Sequence, residues 1–147
     1  MIRIKAVDAQ NISDVCELSS NQDIAAAKTE GRCRCNAISI AETRYDAEMH
    51  PNAIYNNNAL IGFFMYKRAE TQADTATICR FMLDDRFKDK GLEEKALEHV
   101  LRGLKIQGVK RVVLEEAEAN EEAEKLYRSF GFHAAGEAGC YELELQS

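Results

Sequence analysis

The run Ala59-Leu60-Ile61-Gly62-Phe63-Phe64-Met65-Tyr66 limits this chain more than any other feature. It is far too short to cross a bilayer, which takes about 20 apolar residues in a helix. It follows Asn56-Asn57-Asn58, and asparagines suit a turn because they tolerate positive φ and bond locally to the backbone. The run therefore reads as one arm of a hairpin, with Ala53-Ile54-Tyr55 as the other. A polar loop from Arg68 to Asp74 then leads to a third strand, Thr75 to Leu83.

The rest of the chain surrounds that hairpin with strands and helices in turn. Ile2 to Val7 alternates apolar and polar, as a half-buried strand does. Asn11 or Ser13 can cap the next helix, which has Ile12, Val15, Cys16 and Ser19 on one face. Gln22 to Arg34 is polar and irregular and carries no assignment. From Asn36 to Glu48, Ala37, Ile38, Ala41 and Tyr45 recur at helical spacing, with Pro51 beyond the end. After the charged loop Asp84 to Gly91, a long helix has Leu92, Ala96, Leu97, Val100, Leu101 and Leu104 in one stripe, closed by Gly108. Arg111 to Leu114 is a short buried strand. Asn120 opens a helix with Ala123, Leu126, Tyr127 and Phe130 on one face, and Gly131 stops it. Phe132 to Gly136 and Cys140 to Leu145 end the pattern as strands. The order β-α-α-β-β-β-α-β-α-β-β predicts an α/β (α+β) fold: one domain over residues 1–147, a mixed sheet of about seven strands, and helices on its faces.

Composition narrows the function classes. A chain of 147 residues, 46% hydrophobic and 30% charged, has the balance of an ordinary globular domain. Met1-Ile2-Arg3-Ile4-Lys5 lacks the apolar core of a secretory signal, so a cytoplasmic location with no membrane partner is expected. The net charge of −6 argues against nucleic acid. It suits a cationic small molecule, and it equally suits solubility alone. Five scattered cysteines are an odd number and read as free thiols. Cys33-x-Cys35 has neither a second pair nor a nearby histidine, and His50, His99 and His133 lie far apart, so no metal is expected.

Two segments can carry chemistry. A strand that runs through a loop into a helix start brings unpaired N–H groups and the helix dipole to one place, a natural anion site. Here Arg86, Lys88 and Lys90 add charge, and Gly91 permits close backbone approach. The second is Asn120-x-x-Ala123-x-x-Leu126-Tyr127-x-x-x-Gly131-Phe132. Tyr127 has two readings from its position: a core ring with its hydroxyl at the edge, or a phenol aimed at a leaving group as a general acid.

In this order and spacing, the segments resemble the GNAT superfamily of acyl-CoA-dependent N-acetyltransferases over nearly the whole chain. They are most similar to its bacterial spermine/spermidine acetyltransferase branch. The matching segments are Ser39-Ile40-Ala41-Glu42, Pro51-Asn52-Ala53-Ile54-Tyr55, Leu60 to Tyr66, Arg80-Phe81-Met82-Leu83 and Asn120 to Phe132. The resemblance implies a mostly antiparallel GNAT-type sheet and acetyl-CoA as co-substrate. It implies that backbone groups of Phe81, Met82 and Leu83 pair with pantetheine like an added strand, with an amide near Met82 polarising the thioester carbonyl. Lys88, Asp89, Lys90, Gly91, Leu92 and Glu93 would face the pyrophosphate, and Asn120 the pantetheine arm. Tyr127 would protonate the departing thiolate.

The family's phosphate loop reads R/Q-x-x-G-x-G/A, and this chain has Lys88-Asp89-Lys90-Gly91-Leu92-Glu93. Lys88 keeps the charge and Gly91 matches. Glu93 replaces glycine or alanine, and Asp89 stands where close relatives often have glycine. A carboxylate about 5 Å from one phosphate charge repels it by roughly 3 kcal/mol at an effective dielectric of about 20, much of it screened by solvent and the nearby cations. Two readings follow: a working N-acetyltransferase with altered CoA binding, or a GNAT fold that has lost catalysis and binds a ligand or partner. The branch points to a small-molecule amine acceptor, a polyamine, with Glu42 and Asp46 on one helix face as its charge partners. Glu42 and Glu115 are also candidates for a base, and a homodimer is compatible with the resemblance.

Overall fold

The computed structural model describes residues 1–18, 36–115, 121–135 and 140–145. Its elements are β1 (Ile2–Ala6), α1 (Ile12–Glu17), α2 (Asn36–Glu42), β2 (Met49–Asn56), β3 (Ala59–Lys67), β4 (Thr75–Leu83), α3 (Leu92–Ile106), β5 (Arg111–Glu115), α4 (Glu121–Ser129), β6 (His133–Ala134) and β7 (Cys140–Glu144). Short 3-10 turns occupy Glu70–Gln72 and Asp85–Lys90. The strands form one seven-stranded sheet in the order β1-β2-β3-β4-β5-β7-β6. Every neighbouring pair is antiparallel except β4 and β5, which run parallel with α3 as their crossover. This is the expected mixed, mostly antiparallel sheet. No described helix is long and apolar enough to cross a membrane.

The sheet buries both faces, which is why the run through β3 is apolar without alternation. On one face the stripe of α3 packs with Ile61, Phe64, Ile78, Leu83 and Tyr127. Each fully buried leucine or valine in such a stripe contributes roughly 2 kcal/mol. On the other face, Val15 and Leu18 pack with Ala53, Phe63, Met65 and Met82, and Ile40 of α2 joins them.

Two bulges break the alternation. Ile54 pairs with Gly62 and Tyr55 with Leu60, so Ile61 is the extra residue in β3. Met65 pairs with Arg80 and Tyr66 with Ile78, so Cys79 is the extra residue in β4. A bulge puts consecutive side chains on one side of the sheet. Arg80 accordingly joins Cys79 on the α1–α2 side.

Several elements differ from the sequence expectation. The helix predicted to reach Glu48 ends at Glu42. There the Thr43 hydroxyl turns back to the Ile40 carbonyl at 2.6 Å, and the Tyr45 N–H bonds to the Glu42 carbonyl at 3.0 Å. Its predicted stripe is outside: Ile38 is 45% and Tyr45 87% exposed, and the residue it buries is Asn36. Of the face predicted for α1, Val15 is buried, Cys16 half-buried and Ile12 exposed, and Ser19 lies outside the described residues. Asn11 holds the N-cap position, but its side chain accepts from the Asp8 N–H at 2.8 Å and donates to the Ala6 carbonyl at 3.2 Å instead. Pro51 lies inside β2, where its carbonyl accepts from the Val7 N–H at 3.1 Å. Its missing N–H falls where the β1–β2 ladder ends, a position that tolerates proline. The turn after β2 is as expected, with Asn57 at φ 57°.

Gly62 is the tightest point of the sheet. A Cβ there would overlap the Met82 carbonyl oxygen and come within 2.5 Å of Leu83 Cδ2. Because one obstacle is backbone, β4 itself has to move to admit a methyl group. Gly62→Ala is expected to destabilise the protein by about 1–3 kcal/mol, the usual range for overpacking, read as a lowered denaturant midpoint. A midpoint equal to wild type would show that β3 and β4 separate without penalty.

Candidate active site

Thr75–Ile78 of β4 pair with Arg111–Leu114 of β5, and there the pairing stops. Beyond it, β4 keeps its partner β3 as far as Leu83 against Gly62. On its other side, no strand pairs with Cys79–Leu83 among the described residues. The parting coincides with the bulge at Cys79, and bulges bend the strand that carries them.

The ladder's phase decides which groups face the opening. The Asp84 N–H bonds to the Ile61 carbonyl at 2.8 Å, so Leu83 and Gly62 form a non-bonded pair, and Met82 and Phe63 a bonded one. Met82 therefore directs its N–H and C=O to β3, and Phe81 and Leu83 direct theirs to the open side. Phe81, Met82 and Leu83 were equivalent in the sequence reading; the ladder separates Met82 from the other two. Unpaired strand groups of this kind bind an extended chain as an added strand would.

The open strand runs into a built loop. Asp84 is 5% exposed, and its Oδ1 accepts from the Arg86 N–H at 3.1 Å and from Arg86 Nε at 2.8 Å. The Asp84 carboxylate holds the Arg86 guanidinium above its ordinary pKa, chiefly through that hydrogen bond. The guanidinium carbon lies 5.3 Å from the Phe87 ring centroid, and Phe87 packs on the larger core. The turn ends at Gly91, with φ 67° and ψ 12°, as the N-cap of α3. Among the described residues, nothing lies within 4 Å of where a Cβ at Gly91 would be.

That helix start has the geometry of an anion site, with Glu93 and Glu94 in its first turn opposing one. Leu92 is 6% exposed, so its side chain is committed to packing. The side chains of Lys88, Asp89, Lys90 and Glu115 lie outside the described residues, as do Asn120, Cys33 and Cys35 entirely.

Tyr127 of α4 is 3% exposed. Phe132 meets its ring edge-on at a centroid distance of 6.1 Å, and Tyr141 lies tilted at 5.8 Å. Its ring belongs to the same cluster as Phe81, Leu83, Leu92 and Phe87. Three segments singled out in the sequence thus share one side of the sheet.

The predicted carboxylate pair is not assembled as expected. Glu42 is exposed at the last position of α2, whereas Asp46 follows in an irregular turn, so the two do not share a helix face. Asp46 lies 3.0 Å from Lys67 Nζ, which holds its carboxyl below the usual range, helped by the Glu48 N–H. The same contact raises the Lys67 ammonium.

Asn36 and Arg80 were not anticipated. Asn36 is 1% exposed; its Nδ2 donates to the Val15 carbonyl at 2.8 Å and its Oδ1 accepts from Arg80 Nε at 2.9 Å. Nothing local marks a buried asparagine at the start of a short helix. Gly62 did carry a signal, since a lone glycine within a strand pattern points to a bulge or close backbone approach.

The family model for the acetyltransferase (GNAT) family matches residues 17–132. Over 144 aligned positions the chain is 29% identical to the spermine/spermidine N(1)-acetyltransferase of Bacillus subtilis strain 168, covering 92% of this chain and 90% of that one. Among solved structures it superposes on an acetyltransferase from Thermus thermophilus with a TM-score of 0.76, at 18% identity, covering 98% of this chain and 97% of that one. It superposes on the PaiA N-acetyltransferase of Thermoplasma acidophilum, solved with coenzyme A, with a TM-score of 0.66, at 16% identity and 99% coverage of both. These likenesses concern the fold. The family match takes in β4, the loop that follows it and Tyr127 on α4, and the chain belongs to the acetyltransferase (GNAT) family.

Proposed function

We propose that this protein transfers the acetyl group of acetyl-CoA to a primary amine of a polyamine. Acetyl-CoA is the acyl donor of the family to which the chain belongs. The observation that carries the reading is the half-open β4, whose Phe81 and Leu83 backbone groups lead straight to the loop before α3. A pantetheine arm has the amides to pair with such an edge. The uncrowded Gly91 leaves room for phosphate oxygens at the helix start.

When bound, acetyl-CoA supplies an acyl group activated as a thioester. Phe81 and Leu83 hold the arm, and an N–H of one of them, not that of Met82, stabilises the carbonyl oxygen as it gains charge. Backbone N–H groups from Gly91 to Glu93 hold the pyrophosphate, with Lys88 and Lys90 adding positive charge beside Asp89. Asn120 contacts the arm. As the amine nitrogen bonds to the acetyl carbon and the C–S bond breaks, Tyr127 gives its Oη proton to the departing thiolate. The proton the nitrogen sheds returns through water to the phenolate. The packed ring of Tyr127 keeps that hydroxyl from straying.

Three facts support a polyamine as acceptor: the name of the Bacillus subtilis relative, the net charge of −6, and the exposed Glu42. Glu42 acts as a charge partner for an ammonium group. Asp46 contributes more weakly, because Lys67 already neutralises it.

Acetyl-CoA is expected to raise the melting temperature, since it binds only the folded chain. Replacing Asp89 and Glu93 together by glycine is expected to tighten its binding about ten- to a hundredfold, through the loss of two like charges. Calorimetry on both proteins decides the matter, and equal or weaker binding by the variant sinks this account of the loop.

Tyr127→Phe keeps the ring and removes the proton. The turnover number is expected to fall about a hundredfold or more, with stability changed by at most about 1.5 kcal/mol. Normal turnover would make Tyr127 a packing residue only.

Spermidine is expected to be acetylated in preference to a simple alkylamine. In Glu42→Gln the KM for spermidine is expected to rise about fivefold, the effect of one exposed charge pair, with the KM for acetyl-CoA unchanged. An unaltered spermidine KM would remove Glu42 from the acceptor site.

A further inference from the structure

Beyond Ile78, β4 is held by its ladder to β3 and by what grips its side chains, with no described strand on the β5 side to share the task. On the α1–α2 side that grip centres on one residue. Asn36 is 1% exposed, and its amide reaches from α2 to two other elements, α1 and β4. Its Nδ2 donates to the Val15 carbonyl of α1 at 2.8 Å and lies 3.8 Å from Met82 Sδ; its Oδ1 accepts from Arg80 Nε at 2.9 Å. Arg80 and Met82 are the neighbours of Phe81 on either side, and both project to this face because of the bulge at Cys79. Asn36 thus ties α1 and α2 to the two side chains that bracket the backbone groups of Phe81.

We infer that Asn36 is a positioning residue for acetyl transfer, steadying the open half of β4 through Arg80 and Met82 where only β3 pairs with it. The inference rests on the proposed use of Phe81 and Leu83 to hold acetyl-CoA. A fully buried amide that bonds to a main chain on one side and a guanidinium on the other has a fixed orientation. A shift of about 1 Å in reacting groups is enough to cost a hundredfold in rate. Asn36 touches no substrate in this account.

The test is a cycle of Asn36→Leu, Arg80→Met and the double variant, with turnover and KM measured well below each melting temperature. Leucine fills the same volume without the hydrogen bonds. Each single variant is expected to lower kcat at least tenfold, and the double variant to lose less than the product of the two single losses, because the Asn36–Arg80 bond is common to both changes. Asn36→Asp keeps the acceptor for Arg80 and is expected to recover part of kcat while remaining less stable. If Asn36→Leu does not fold, Arg80→Met against Asn36→Asp gives the same comparison. A lowered melting temperature with kcat within twofold of wild type, or losses that multiply in the double variant, overturns the inference. If wild type acetylates neither spermidine nor an alkylamine, the proposed function fails on its own. Acetyl-CoA affinity by calorimetry then decides for Asn36: at least a fivefold weakening in the variants upholds it, and an unchanged affinity overturns it.

Discussion

A strand in the middle of a sheet that is paired on only one side leaves backbone donors and acceptors without partners, and each costs about 1–3 kcal/mol if it is buried that way. Among the described residues the last part of β4 is such a strand on its β5 side, and much of the surrounding structure keeps it in place. The bulge at Cys79 turns the strand away from β5. Gly62 lets β3 approach the Met82 carbonyl more closely than any side chain would allow. The Asp84 N–H pins the far end to Ile61.

The helix that follows is secured at both ends. At its start, Asp84 folds the loop round Arg86, and Phe87 anchors that loop in the core. At its end, Arg68 Nη2 donates to the Gln107 carbonyl at 3.0 Å, where a cation also suits the negative pole of the helix. Between them, the apolar stripe of α3 presses on the same face of the sheet that carries Phe81 and Tyr127.

Most of this architecture was legible in the sequence. The stripe of α3, the asparagine turn after β2, the β3 run and the strand-loop-helix passage to Gly91 all follow from periodicity and turn chemistry. The errors have physical causes. Spacing alone extended α2 to Glu48, but the Thr43 hydroxyl competes for the Ile40 carbonyl, and a helical repeat does not say which side faces a sheet. Glu42 and Asp46 lost their shared face for the same reason. Phe81, Met82 and Leu83 could not be told apart because the phase of a ladder is set by long-range pairing, here Asp84 to Ile61. The Asn36–Arg80 bond joins residues 44 apart, and no local pattern encodes it.

Gly62 and Gly91 flank the same opening, yet their handedness requirements differ. At Gly91 the obstacle to an L-residue is torsional, since φ is 67° and no described atom lies within 4 Å of where its Cβ would be. A D-alanine introduced there by chemical synthesis would adopt that torsion without strain and rigidify the turn. At Gly62 the obstacle to an L-side chain is the peptide backbone of β4 itself, so adjusting torsion does not relieve it. Mirror-image substitution would thus separate a glycine retained for its conformation from one retained for its size.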